Sequence, residues 1–148
     1  MKKIVFAGIS VLLTGCAMTY APPSANYKAV SRAITANKQE TLASAKRLLL
    51  LDGYQIQSFD DASGIISTSY VNKKVSPREA DCGNTMGLDY LLDNRTKTQV
   101  AVNVIVEQDI VTVKANIQGE YKPGGADQDI TLTCISTGAI ERQIISNI

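Results

Sequence analysis

Two neighbouring segments in the second half of the chain carry an apolar residue at every second position. Such a period of two places the apolar side chains on one face of a β-strand. Gln108 and Asp109 lie between the segments and predict a turn, so we expect two adjacent strands of an antiparallel sheet with one buried face. The apolar positions are Val100, Val102, Val104 and Val106 in the first segment, and Val111, Val113, Ala115 and Ile117 in the second.

The first half of the chain contains a helix pattern. Asn37 followed by Glu40 has the spacing of a capping box, so we expect a helix that begins at Lys38. Gly53 is placed to adopt the left-handed conformation that ends helices. The apolar stripe recurs at three- and four-residue steps and consists of Leu42, Ala45, Leu48 and Leu49.

Further strands and one more helix are predicted from weaker patterns. Loose alternation over 27–35 predicts a first strand, and alternation on both sides of the turn residues at 60–64 predicts a hairpin over 54–71. A last strand over 130–134 precedes Ser136 or Thr137, either of which could cap a helix. The apolar residues of that helix are Ile140, Ile144 and Ile148.

The longest stretch without a periodic pattern is 72–98, where only 88–92 suggests one helical turn. Loops of this length are uncommon unless they are functional or held in place. Together these elements predict the α+β class, with an antiparallel sheet of about five strands and helices packed on one face.

The segment that runs from the first helix through the hairpin, about residues 27–71, resembles a known family. It is similar to the helix-grip domains of small proteobacterial outer-membrane lipoproteins, which include the C lipoprotein of the barrel-assembly machine. The resemblance implies a helix-grip-like fold and a binding or scaffolding module without catalysis. The runs that carry it are Asp52-Gly53-Tyr54-Gln55-Ile56, Asp60 with Asp61, and Gly64-Ile65-Ile66-Ser67-Thr68.

The N-terminus has the layout of a secretory signal peptide. Lys2 and Lys3 precede an apolar stretch over 4–13, which is about half the roughly 20 residues that a membrane-spanning helix needs. Residues 13–16, Leu-Thr-Gly-Cys, resemble the bacterial lipobox. We therefore predict a signal peptide over 1–15, a lipidated Cys16 with a tether over 16–26, and one periplasmic domain over 27–148.

Lipidation at Cys16 would anchor the protein by several acyl chains. In lipoproteins of this kind an aspartate directly after the cysteine favours retention in the inner membrane, whereas here Ala17 and Met18 follow. The resemblance therefore implies an outer-membrane protein that faces the periplasm.

Cys82 and Cys134 remain as a pair for an oxidising compartment. A bridge between them would close a loop of 52 residues. The chain has no histidine, so two thiols cannot form a usual zinc site, and the spacing is not that of a redox Cys-x-x-Cys motif. We predict a structural disulfide and no bound metal.

The composition argues against several classes of function. Without histidine, a Ser-His-acid or Cys-His nucleophile is impossible. The acidic pairs Asp60 with Asp61 and Asp89 with Asp93 are expected to be solvated, and no glycine-rich phosphate loop is present. Since the formal net charge is only +1, nothing indicates a nucleic-acid partner. We expect neither catalysis nor a cofactor.

Two functions remain open. The first is a protein-binding or scaffolding module that presents a helix–sheet groove or an unpaired sheet edge to an envelope protein. Its candidate contacts are the exposed Leu50 and the basic residues Lys73, Lys74 and Arg78. The alternative is an inhibitor or exclusion factor directed at a lysozyme or at an incoming secretion or conjugation apparatus.

Overall fold

The computed structural model describes residues 20–26, 29–125 and 128–148. In this part of the chain eight strands form one antiparallel sheet, and three short strands form a second. The strands are β1 (Tyr20–Ala21), β2 (Val30–Ala33), β3 (Ile56–Asp60), β4 (Ile65–Thr68), β5 (Val71–Asn72), β6 (Ala80–Asp81), β7 (Asn84–Thr85), β8 (Leu88–Asp89), β9 (Thr96–Glu107), β10 (Ile110–Tyr121) and β11 (Ile130–Ser136). The helices are α1 (Lys38–Leu51), α2 (Ala139–Asn147) and a one-turn 3-10 helix (Tyr90–Leu92).

The centre of the large sheet is the hairpin of β9 and β10, which pair over twelve residues each. The eight apolar residues that alternate in the sequence are all buried on one face, as predicted. Because a slip of one residue would turn this whole set toward solvent, burial of the face also determines the register of the hairpin.

Each outer edge of this hairpin pairs with two shorter strands in succession. β4 and then β5 lie along β9, while β2 and then β11 lie along β10. β3 pairs with β4 on one side and β6 pairs with β11 on the other, so β3 and β6 form the two ends of the sheet.

Helix α1 begins at Lys38, as predicted. The Oδ1 atom of Asn37 accepts a hydrogen bond from the Glu40 amide at 2.9 Å, and this satisfies one of the donors that a helix N-terminus leaves free. Gly53, with a φ of +83°, follows the end of the helix. The buried residues Leu42, Ala45 and Leu49 belong to one core with the valines of the hairpin.

Helix α2 packs against β10 and β2. Its N-cap is Gly138, with a φ of +85° and no side-chain capping bond, so the predicted cap at Ser136 or Thr137 is wrong. The Ser136 hydroxyl instead donates to Glu141 at 2.7 Å, and the Thr137 hydroxyl donates to the carbonyl oxygen of Arg78 at 2.6 Å.

The second sheet consists of β1, β7 and β8. Tyr20 pairs with Thr85 and Ala21 with Asn84, and β7 turns directly into β8. The Tyr20 ring lies 5.9 Å from the ring of Tyr90 in the 3-10 helix. The described part of the predicted tether, residues 20–26, is therefore bound to the domain.

The predicted fold class is wrong in the extent of its sheet. Strands account for 43% of the structure and helices for 21%, and the large sheet has eight strands rather than about five. The predicted helix-grip-like arrangement also lacked the second sheet. The physical reason is that five strands are only two residues long, which is too short for a period of two to be visible, and β6, β7 and β8 lie in the stretch over 72–98 interpreted as a loop.

Candidate functional site

Lys73 and Lys74 follow β5, and they line a cavity of about 480 Å³ that is bounded by the start of β9. The Lys73 backbone is fixed to β9 by Thr98: the Thr98 hydroxyl donates to the Lys73 carbonyl oxygen, and the Lys73 amide donates to the Thr98 carbonyl oxygen at 3.1 Å. The amide of the buried Val75 donates to the same hydroxyl at 3.1 Å. One threonine therefore holds the loop in place.

The charged side chains that line this cavity are Lys73, Lys74, Lys97 and Asp93. The Asp93 carboxylate is paired with Arg95, whose Nη2 lies 2.6 Å from Oδ2. Hydrogen bonds from Arg95 lower the pKa of the Asp93 carboxyl to about 2. Because the guanidinium balances this carboxylate, the three lysines make the cavity suitable for an anionic group.

Lys73 also covers a buried tyrosine. Its ammonium lies 4.4 Å from the centre of the Tyr54 ring, a cation–π contact. Desolvation by burial raises the pKa of the Tyr54 hydroxyl to about 12, and the negative charges of Asp52, Glu79 and Glu141 add to this effect. The ring therefore stays neutral at physiological pH and does not form an ion pair with Lys73.

Arg78 lies apart from the two lysines, in the turn before β6. This turn is fastened to the end of β11, because the Thr137 hydroxyl donates to the Arg78 carbonyl oxygen and the Thr137 amide donates to that of Glu79 at 3.0 Å. The Glu79 carboxylate accepts from the Ser76 amide and hydroxyl at 2.8 and 2.7 Å. The basic residues predicted as one patch are thus divided between the cavity and a separate turn.

Leu50 is 53% exposed and lies in the last turn of α1. One helical turn earlier, the Lys46 ammonium lies 4.6 Å from the centre of the Phe59 ring in β3. Since residues four apart share one side of a helix, Leu50 lies on the side of α1 that faces β3. The last four residues of β3 are all exposed. We call β3 together with Leu50 the β3 edge.

The two ends of the large sheet differ in how they are covered. At β6, the Asp81 carboxylate accepts from the amides of Ser24 and Ala25 at 2.9 and 3.2 Å, so the chain that follows β1 lies against this end. In residues 20–26, 29–125 and 128–148, no strand pairs with the outer side of β3. An open edge of this kind presents unpaired backbone donors and acceptors.

Cys82 and Cys134 form the predicted disulfide. Cys82 directly follows β6, which pairs with the end of β11, so the bond ties the segment over 72–98 to the last strand. Cys16, the predicted lipidation site, lies outside the described residues.

The predicted acidic pairs serve local structure. Asp60 Oδ1 accepts from the amides of Ala62 and Ser63 in the β3–β4 turn, and Asp89 Oδ1 accepts from the Leu91 amide at 2.8 Å. Within the described ranges, no group of three or more His, Cys, Asp or Glu residues could hold a metal ion. Among the described residues, no helix is long and apolar enough to cross a membrane.

A set of exposed apolar residues at the second sheet and the adjoining 3-10 helix was not predicted. We call it the apolar tip; it consists of Met86, Leu88 and Leu92, which are 83%, 72% and 76% exposed. Its only sequence signal is a large apolar residue directly before Gly87 in a stretch interpreted as irregular.

The chain matches no protein-family model and no curated protein.

Proposed function

We propose that this chain is a non-enzymatic outer-membrane lipoprotein, anchored through Cys16 and facing the periplasm, that binds an envelope protein through the β3 edge. The observation that carries the proposal is the contrast between the two sheet ends. β6 is two residues long and is covered by the chain at 24–25, whereas β3 is five residues long and pairs with no described strand along its outer side. Sheet proteins usually cover such an edge, so one that the described chain leaves unpaired favours use as a binding surface.

An extended segment of a partner protein could extend the sheet beside β3. Backbone hydrogen bonds would supply affinity, and side-chain contacts with Leu50 and Phe59 would supply selectivity. A bulge between Ile56 and Ser58 interrupts the regular pairing of β3 with β4. Because bulges twist an edge and hinder indiscriminate pairing, this one favours a matched partner over self-association.

The proposed location is supported by two features at different places in the chain. The lipobox resemblance at 13–16 supports lipidation of Cys16. The bond between Cys82 and Cys134 supports an oxidising compartment such as the periplasm, since disulfides rarely persist in reducing ones.

The test is photocrosslinking in intact cells. A photoreactive residue at Gln57 or Leu50 is expected to capture the same envelope protein, because both positions belong to the β3 edge. The same residue at Gln143, an exposed position on α2, is the matched control and should capture nothing specific.

Equal capture from Gln57 and Gln143, or no capture from either β3-edge position, would contradict the proposed surface. A Cys16→Ser variant tests the anchor separately, since it should leave the membrane fraction while its domain remains folded. If no endogenous protein is captured, the inhibitor alternative is tested directly by adding the purified chain to a muramidase assay.

A further inference from the structure

The apolar tip combines residues at the β7–β8 turn of the second sheet with the last residue of the adjoining 3-10 helix. Leu88 and Leu92 line one groove together, and Met86 is the most exposed large hydrophobic residue of the described chain. A single exposed leucine is ordinary on a protein surface, whereas a cluster of apolar side chains marks a contact surface.

The backbone of the tip adds to this argument. Met86 has a φ of +50° and Gly87 a φ of +81°, as in the tight turns that join two short antiparallel strands. Sterics disfavour a large side chain at positive φ, and Asn, Asp or Gly is the usual residue at the first turn position. A methionine there is not explained by the needs of the turn, and its side chain makes little contact with its own domain.

The chain enters the domain directly beside this tip. β1 pairs with β7, and the Met86-Gly87 turn follows β7 at once. Only four residue steps separate Cys16 from Tyr20, and an extended chain of that length reaches at most about 14 Å. If Cys16 carries the lipid anchor, the second sheet must lie within that distance of the membrane.

Cationic side chains border the tip. Leu92 also lines the cavity that contains three lysines, Lys73, Lys74 and Lys97. The nearest aromatic ring of the 3-10 helix, that of Tyr90, is buried and packs 5.0 Å from the ring of Tyr121, so it belongs to the core. Exposed apolar side chains next to lysines are a composition that proteins present to the boundary between acyl chains and anionic headgroups.

We infer that the apolar tip docks on the bilayer that carries the anchor, with the lysine-lined cavity facing anionic lipid headgroups. This inference rests on the proposed lipidation of Cys16. The anchor keeps the tip at high local concentration near the membrane, so a small apolar surface is sufficient for docking. Docking gives the anchored domain a defined orientation, with the hairpin turn between β9 and β10 directed away from the surface.

The absence of tryptophan from the chain makes a sharp test possible. A Leu88→Trp variant of the full lipidated chain, placed in vesicles of phosphatidylethanolamine and phosphatidylglycerol, carries one reporter at the tip. We expect its emission to shift to the blue and to lose about half its intensity when the lipids are brominated, as for a side chain at the acyl boundary.

Ile110→Trp is the matched control. Ile110 is a partly exposed apolar residue at the other end of β10, about 36 Å from Tyr121 at 3.3 Å per residue. Its emission should be unchanged by brominated lipid. Equal quenching of both reporters, or none at Leu88→Trp, overturns the inference. A blue shift in native envelopes, together with no quenching in brominated vesicles, indicates that the tip contacts a protein. This result also overturns the inference.

Failure of docking and failure of the anchor are distinguished by flotation. A variant that floats with the vesicles but remains unquenched is anchored and not docked, whereas one that does not float refutes the lipidation on which the inference rests. Hydrogen exchange of the unsubstituted protein provides a second measurement that needs no reporter. Amides over 84–92 of the vesicle-bound protein should exchange more slowly than the same amides of the Cys16→Ser variant in detergent-free solution. Equal rates would again overturn docking.

Discussion

Along each outer edge of the β9–β10 hairpin, strand pairing has a gap between the two flanking strands. The two gaps lie opposite each other, and a different kind of side chain accepts the backbone hydrogen bond in each. Val102 and Ala115 are register partners, and neither pairs with a described strand on its outer side. On the β9 edge, the Val102 amide donates to the hydroxyl of Thr68 at 2.8 Å. On the β10 edge, the Ala115 amide donates to the carboxylate of Glu141 at 3.0 Å.

The difference follows from how the flanking strands are connected. β4 and β5 are separated by two residues, so the last residue of β4, Thr68, is already close enough to fill the gap with a short side chain. β2 and β11 come from distant parts of the chain, and the gap between them is filled by a long side chain from α2. Glu141 is fully buried in the first helical turn, where backbone N–H groups favour a carboxylate, and Ser136 donates to it at 2.7 Å. The gap between two strands that are close in sequence is filled by a threonine hydroxyl of one of them. The gap between two strands that are distant in sequence is filled by a side chain from a separate helix.

The largest expected effect is on the β10 side, where the disulfide covalently links β11 to the residue that follows β6. Cys82→Ala with Cys134→Ala should lower the free energy of unfolding by about 4 kcal/mol, because the bond closes a loop of 52 residues. Denaturant unfolding measures this loss, and reduction of the unsubstituted protein is the control. Hydrogen exchange should accelerate in β6 and β11 more than in β4; the opposite order would contradict the assignment of the bond to the β10 side.

The next effect concerns the Glu141 carboxylate, which accepts the hydrogen bond of the Ala115 amide at the β10 edge. Glu141→Ala should cost about 3 kcal/mol, since it leaves the Ala115 amide and the Ser136 hydroxyl without their acceptor in a buried place. Glu141→Gln has the same shape and keeps one acceptor oxygen for the Ala115 amide, while its NH2 group can donate to the Ser136 hydroxyl oxygen, so it should cost less than half as much. Unfolding curves of both variants, with the disulfide intact, provide the measurement. If the two variants are equally destabilised, negative charge matters more than the hydrogen bonds.

The smallest effect belongs to the β9 edge. Thr68→Val keeps the shape of the side chain and removes the acceptor for the Val102 amide, so about 1 to 2 kcal/mol should be lost. Thr68→Ser retains the hydroxyl and is the matched control. If Thr68→Val lowers the free energy of unfolding as much as Glu141→Ala does, the two side chains stabilise their edges equally. That result would refute the expected difference between the two edges.

The predictable parts of the molecule are those whose signal is contained in a short segment. The hairpin follows from alternation, the start of α1 from the Asn37 cap, and the disulfide from a cysteine pair without other partners. Strands of two residues have no detectable period, so the second sheet and its apolar tip were missed. Glu141 was missed because a glutamate in a first helical turn is ordinary, and only the docking of α2 brings it to Ala115.

Of the candidate contacts, Lys73 and Lys74 do share a cavity, but Lys97 joins them from β9 in place of Arg78. The place of Leu50 beside β3 depends on how α1 crosses the sheet, which no local pattern specifies. Residue types could therefore be predicted for this surface, while their grouping required the long-range pairing of strands.

The pairing of β1 with β7 has a mechanical consequence. β7 begins two residues after Cys82, and Cys82 is bonded to Cys134 in β11. Tension applied at Tyr20 therefore passes through two short strands and one covalent bond into β11 and the β9–β10 hairpin, without first stretching the segment that leads to β2. A domain pulled from its N-terminal side would bear that load on its longest pair of strands for as long as the bond stays oxidised.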